Sequence, residues 1–224
     1  MELREFYRRK LPHYQPRDTA YHIVFRLVDS LPETVLERLR LERELAEQRA
    51  SQEKNPSRRK GLRRTIQEAT FRKFNPLLDR TSFGPKWLQM DATAAIVAEA
   101  IHYRDGKVYD LLAFNIMPNH VHLVMFVGRP VWSSCTRKAS EPYIVTKILE
   151  NLKWYTALKC NEVLSRSGQF WEHESYDHII RQGDLRRTIL YVLNNPVKAG
   201  LVNQWNDWRW SYCKPGLLEN PADG

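Results

Sequence analysis

The feature that most constrains this 224-residue chain is a pair of apolar runs, VYDLLAFNIM at 108–117 and HVHLVMFV at 120–127, separated only by Pro118-Asn119. Two such runs joined by a short turn-forming break predict antiparallel neighbouring strands. Residues 20–28, AYHIVFRLV, are β-branched and aromatic and predict a further strand.

Helices are expected between these strands. Ser30-Leu31-Pro32-Glu33 has the form of a capping box with Pro just inside the helix start, and opens a charged helix over roughly 32–50 with Val35, Leu36 and Leu39 on one side. Asp91 can cap a second helix over roughly 92–104, in which Ile96, Val97, Ala100 and Ile101 have helical spacing before the turn at Asp105-Gly106. A longer helix is expected over roughly 142–165, with Ile144, Ile148, Leu152 and Tyr155 as its buried stripe and Lys147, Lys153 and Lys159 outward. FWEHESYDHII holds a short strand, and after Gly183-Asp184 a final helix runs to about Asn195, where Pro196 stops it. This order predicts an α+β, ferredoxin-like or RRM-like sandwich. Its mainly antiparallel sheet has helices on one face and the active site on the other.

The length fits one domain over 1–224, with a basic insertion at about 45–75 and a C-terminal tail from about 213. Between Lys54 and Lys73, eight Lys or Arg face the single Glu68, and Pro56 and Gly61 break regularity. Either a flexible basic loop or a short helix flanked by loops fits. The run is either a solvated surface or a DNA contact made by Arg58, Arg59, Lys60, Arg63 and Arg64. The whole chain carries 35 Lys and Arg against 26 Asp and Glu, a net charge of +9 that suits a phosphate backbone. Cys135, Cys160 and Cys213 are too few and scattered for a disulfide framework or a zinc spacing, and read as reduced thiols. No stretch approaches the ~18 apolar residues of a membrane span. The start MELREFYRRK lacks the apolar core of a signal peptide. A cytoplasmic, nucleoid-associated protein without a membrane partner is expected.

Two segments carry chemistry. In Pro118-Asn119-His120-Val121-His122, positions i and i+2 of a strand share a face, so His120 and His122 project together while Val121 points into the buried layer. Two imidazoles side by side make half of a metal site, although most such pairs are incidental or merely hydrogen-bonded. In Tyr191 through Lys198, YVLNNPVK, a helix presents Tyr191 and Asn195 on one face. The Asn195 amide oxygen can bind a hard cation, and Lys198 can offer charge to a phosphate. Equally, Asn195 closes the helix before Pro196 and Tyr191 is core.

Pro-Asn-His-Val-His, the helix-borne Lys-Trp-Tyr-Thr, then Phe-Trp-Glu and Tyr-x-x-x-Asn-Pro-Val-Lys-Ala-Gly-Leu-Val occur here in that order. Together they resemble the REP-associated tyrosine transposases, single-tyrosine members of the HUH endonuclease superfamily, over roughly residues 19–212. The resemblance implies a transposase that cleaves and rejoins single-stranded DNA, in hairpins of repeated extragenic palindromes, through a 5′-phosphotyrosine. It implies Mg²⁺ or Mn²⁺ bound by His120, His122 and Asn195, Tyr191 as nucleophile, and a monomer or homodimer. Mn²⁺ suits two histidines better than Mg²⁺ does. The stretch at roughly 45–75 is longer than in compact members of that family.

Tyr176, close to His173 and His178, is the competing nucleophile, and Tyr155 reads as core. Phe170, Trp171, Trp205, Trp208 and Trp210 can stack unpaired bases or serve as buried anchors. Two other functions fit parts of the pattern. One is a catalytically silent DNA-binding protein on the same fold. The other is a phosphohydrolase using water, which would not need Tyr191.

Overall fold

A computed structural model describes residues 18–79, 83–128, 144–181 and 183–218, together with the backbone of 6–8 and 12–14. Cys135 and the first two residues of the helix expected at 142–165 lie outside the described residues.

Strands β1 (Phe6–Arg8) and β2 (Pro12–Tyr14) pair with each other. The main sheet contains β3 (Thr19–Leu27), β4 (Asp110–Ile116), β5 (His120–Val127), β6 (Trp171–Ile179) and β7 (Ser211–Cys213). Their spatial order is β6-β3-β5-β4-β7, and every neighbouring pair is antiparallel. Strands β3 to β6 thus follow the β-α-β-β-α-β plan of the ferredoxin-like sandwich, with β7 added at the edge. The expected α+β fold is the observed one.

Side-chain alternation sorts the two faces. Val121, Leu123, Met125 and Val127 of β5 join Tyr21, Ile23, Phe25 and Leu27 of β3 in the main core. Helices α3 (Asp91–Arg104) and α4 (Ile144–Val163) cover that core with Val97, Ile101, Ile148 and Leu152. His120, His122 and Val124 point the other way, beside His22, Val24 and Arg26 across the β3–β5 ladder.

This second face is roofed rather than open. Helices α1 (Glu33–Ser51) and α2 (Pro56–Asp79) pack Leu36, Leu39, Phe71, Phe74 and Leu78 onto Val24. Helix α5 (Leu185–Leu193) sets Ile189, Val192 and Leu193 against Ala113 and Val124. A short α6 (Asn195–Lys198) follows after a break at Asn194, so the final helix ends earlier than expected and restarts with Pro196 in its first turn.

The basic run between Lys54 and Lys73 is neither a loop nor a short helix. From Pro56 on it lies within α2, which is 24 residues long. The Asn55 side-chain oxygen accepts the Ser57 and Arg58 backbone N–H groups at 2.9 and 3.2 Å, and Pro56 stands at the first helical position. Thr70, Phe71, Phe74 and Leu78 then give the helix a buried stripe that outweighs Gly61. Pro76 falls in the last turn, so the lost hydrogen bond to the Arg72 carbonyl and the crowding there disturb only the end of the helix. Beyond the helix, Gly84 (φ +74°) lies so close to the Asp29 carbonyl that a Cβ would collide with it.

Several local expectations fail because tertiary partners claim the side chains. Ser30 accepts a hydrogen bond from the Arg26 guanidinium at 3.1 Å instead of capping α1, which starts after Pro32 without a side-chain cap. Asp91 is the first residue of α3 rather than its cap. Its carboxylate accepts from Arg209 at 2.7 Å and from the Trp210 indole at 3.2 Å. Tyr155 is 40% exposed, not core. Lys153 turns toward β6 and donates to the His173 carbonyl at 3.0 Å and the Ser175 hydroxyl at 3.2 Å.

Candidate active site

His120 and His122 share one face of β5, and their Nε2 atoms stand 3.0 Å apart. Both rings are fully buried, because α2 and α5 close over them. Asp79, the last residue of α2, brings its Oδ1 to 3.5 Å from His120 Nε2 and 3.8 Å from His122 Nε2. The three ligand atoms lie within 4.8 Å of one another.

Counting protons tests what this cluster can hold. Burial pulls His120 down to about 4, against the opposing pull of the Asp79 carboxylate, so the ring is neutral at pH 7 and carries one N–H. That proton sits on Nδ1, which donates to the Asn119 side-chain oxygen at 2.6 Å, and leaves Nε2 bare. His122 offers at most one proton to the inner group. Three electron-rich atoms therefore face each other with one proton or none between them. One proton makes a single hydrogen bond between the two rings and leaves Asp79 Oδ1 bare, and none leaves all three atoms repelling one another, so the group lacks positive charge unless a cation sits among its members. Adjacent ligands ~2.1 Å from one ion are ~3 Å apart, which is the observed Nε2 spacing. The residues fit a divalent metal.

Unpartnered polar atoms support this. Asp79 Oδ1, Asn75 Oδ1, Asn115 Oδ1 and both amide atoms of Asn195 are buried without a hydrogen bond. Asn115 is the cross-strand partner of His122, Asn75 is one turn before Asp79, and Asn195 follows Tyr191 by four residues. Orphaned buried acceptors are rare in native folds and call for an ion or water. Apart from Asn195 Nδ2 they are oxygens, the donors that hard cations take.

Tyr191 projects from α5 toward this group, its ring centre 6.0 Å from that of His22 and 6.3 Å from that of His122. The Lys198 ammonium lies 4.1 Å from the centre of the Tyr191 ring. Burial pushes the phenol up to about 12, the charge of Asp79 adds to the effect, and the neighbouring Asn75 side chain counters it.

The structure thus brings together His120, His122, Tyr191 and Lys198. Asn195 is fully buried at the start of α6 with its amide unpaired. Arg58, Arg59, Lys60, Arg63 and Arg64 lie apart from them, on the first half of α2. At ~1.5 Å per residue they stand roughly 20–30 Å along the helix from Asp79. Arg58 and Lys60 are exposed, while Arg64 pairs with Glu68 at 3.3 Å. Tyr176 stacks under Phe74 at 3.6 Å, and burial pushes its phenol up to about 12 as well. Phe170 and Trp171 are buried, and the Trp171 indole donates to Thr156 at 2.8 Å. The Trp208 indole donates to the Ile116 carbonyl at 2.9 Å. These two tryptophans are anchors.

Sequence reasoning missed Asp79, Asn75 and His22. Two periodicities carried them. Phe71, Asn75 and Asp79 are spaced by four, one stripe along α2 that meets His22, Tyr191 and the histidine pair in turn. His22, Val24 and Arg26 alternate with the apolar Tyr21, Ile23, Phe25 and Leu27, which marks a polar face of β3.

Comparison with known proteins agrees with the ordered motifs. No family model matches the chain. A Haemophilus influenzae protein described as a REP-associated tyrosine transposase is 30% identical over 105 residues, covering 46% of this chain. The chain is similar to REP-associated tyrosine transposases. It spans 58% of that relative's length. A solved structure of a REP-associated tyrosine transposase bound to a REP hairpin superposes with a TM-score of 0.47 at 15% identity, over 92% of this chain and 80% of the other. Among the described residues, no helix is long and apolar enough to cross a membrane.

Proposed function

We propose that this protein is a transposase-type endonuclease that cleaves and rejoins single-stranded DNA, with hairpins of repeated palindromes as substrate. It acts through Tyr191 with Mg²⁺ or Mn²⁺. The observation that carries this reading is the buried, proton-poor group of His120, His122 and Asp79 beside the Tyr191 phenol. His120, His122 and Asp79 hold the cation, and Asn195 is the further oxygen donor. When bound, the metal neutralises charge on a phosphate oxygen and offsets the Asp79 charge that opposes ionisation of Tyr191.

The chain's own groups do the rest. Tyr191 Oη attacks phosphorus, a Tyr–O–P bond forms, and the P–O3′ bond breaks. The products are a 5′-phosphotyrosine and a 3′-hydroxyl, the proton that the 3′-oxygen takes up balancing the one that the Tyr191 phenol gives up. Rejoining reverses the step with another 3′-hydroxyl, and the covalent bond conserves the energy. Lys198 lies over the phenol ring, where its positive charge favours the phenolate. Asn75, beside the phenol, favours its ionised form. Arg58, Arg59, Lys60, Arg63 and Arg64 bind DNA at a distance from the cut. The protein works as monomer or homodimer in the cytoplasm, associated with the nucleoid.

The test is incubation with labelled single-stranded hairpins and Mn²⁺, followed by a denaturing gel and mass spectrometry of the covalent adduct. The expected adduct maps to the peptide holding Tyr191 and is lost in Tyr191→Phe. Cutting that survives in Tyr191→Phe without any adduct would replace this reading with a water-using phosphohydrolase. An adduct on Tyr176 would move the nucleophile to β6.

A further inference from the structure

Each candidate ligand histidine turns its Nε2 to the proposed metal and its Nδ1 away from it. For His120 the Nδ1–H is held by the Asn119 side-chain oxygen at 2.6 Å. For His122, Nδ1 lies 3.1 Å from His22 Nε2, a contact between strands one hundred residues apart in sequence. His22 is 1% exposed. Phe71 stands edge-on against its ring at 4.7 Å between centres, and the same Phe71 meets His178 at 5.4 Å. The His22 ring is therefore wedged between β5 and α2, with one nitrogen aimed at His122. Its position in β3 is fixed by the ladder, where it pairs with Val124 on one side and His178 on the other.

A neutral imidazole has one N–H, and a nitrogen that binds a metal must be the bare one. An acceptor at Nδ1 keeps the proton there and frees Nε2. Without it, His122 can carry its proton on Nε2 and turn that hydrogen toward His120 or Asp79. We propose that His22 is a positioning residue for the metal site, accepting the His122 Nδ1–H so that His122 Nε2 is held bare and correctly oriented. The proposal rests on the reading of His120, His122 and Asp79 as ligands. His22 itself touches neither metal nor DNA. Outer partners of metal-bound histidines fix tautomer and ring orientation, and their loss costs ~10–100-fold in affinity.

The experiment is calorimetric Mn²⁺ titration of the full chain as wild type, His22→Leu, His22→Gln and His122→Ala, with circular dichroism to check folding. Leu fills the wedge without an acceptor, whereas the Gln side-chain oxygen can replace Nε2. His22→Leu is expected to weaken Mn²⁺ binding by ~10–100-fold, and His22→Gln to restore most of that loss. In parallel, ¹⁵N NMR of the metal-free wild type should place the His122 proton on Nδ1, a readout that needs no variant to fold. Wild-type affinity in His22→Leu, equal losses in Leu and Gln, or a His122 proton on Nε2 would overturn the proposal while leaving the metal assignment standing. Unchanged Mn²⁺ binding in His122→Ala would remove the metal assignment, and the role of His22 with it.

Discussion

At pH 7 a phenol with a pKa near 12 is ionised in roughly one molecule in 10⁵. Tyr191 is therefore held unreactive by the same burial that places it beside His122. The Asp79 carboxylate deepens that restraint; under the proposed function a cation on Asp79 would relieve it and so couple metal occupancy to activation of the phenol. The buried histidines store a cost of their own. The folded pKa of His120, about 4, lies below the unfolded value of 6.5. The stability it contributes is fully present above pH 6.5 and is lost as the pH falls toward 4. His22 is shifted in the same direction by its burial and by the neighbouring His122. For metal-free protein we expect urea unfolding to report a loss on the order of 3 kcal/mol from His120 between pH 7 and pH 4. A flat profile over that range would mean that His120 is hydrated in solution, and the proton count around Asp79 would no longer hold.

Helix α2 divides into two halves of different character. Its first half carries the basic run, and its second half carries Phe71, Asn75 and Asp79 over the site. Substituting Arg58, Arg59, Lys60, Arg63 and Arg64 with Gln should weaken single-stranded DNA binding and flatten its salt dependence by ~0.7 per lost contact. Arg64 should contribute least, because Glu68 already pairs with it. Mn²⁺ affinity should stay unchanged in that variant. An unchanged salt slope, measured by fluorescence anisotropy, would make the run a solvated helix face. This division was not legible in the sequence, where eight cations and a lone Glu68 drew the eye from the four-residue spacing of Phe71, Asn75 and Asp79. The β4–β5 hairpin was legible, because its alternation and its Pro118-Asn119 break are local properties. So was the shared face of His120 and His122. Capping was misread at Ser30 and Asp91 for the opposite reason. Their partners Arg26 and Arg209 are chosen by tertiary contact, and no local pattern announces them.

Across the whole molecule, the site draws on β3, the end of α2, β5 and α5, with His22, Asp79, His120, His122 and Tyr191 spread over most of the sequence. These segments meet only in the folded chain. Any cation held by α2 and β5 at once binds the native state and not the unfolded one, so binding must appear as stability. At a metal concentration a hundredfold above Kd that gain is ~2.7 kcal/mol, which for a chain of this size raises Tm by about 5–10 °C. The repulsion among His120 Nε2, His122 Nε2 and Asp79 Oδ1 in the metal-free protein works in the same sense, since it is relieved only on binding. Thermal unfolding with Mn²⁺ and with a chelator should therefore differ by that margin in the wild type. Asp79→Asn keeps the shape of the side chain and removes its charge, so the metal-free Tm should hold or rise while the Mn²⁺-dependent gain shrinks. A wild-type Tm that ignores saturating Mn²⁺ would mean that the cluster binds no cation. The orphaned oxygens of Asn75, Asn115 and Asn195 would then need water as their partner.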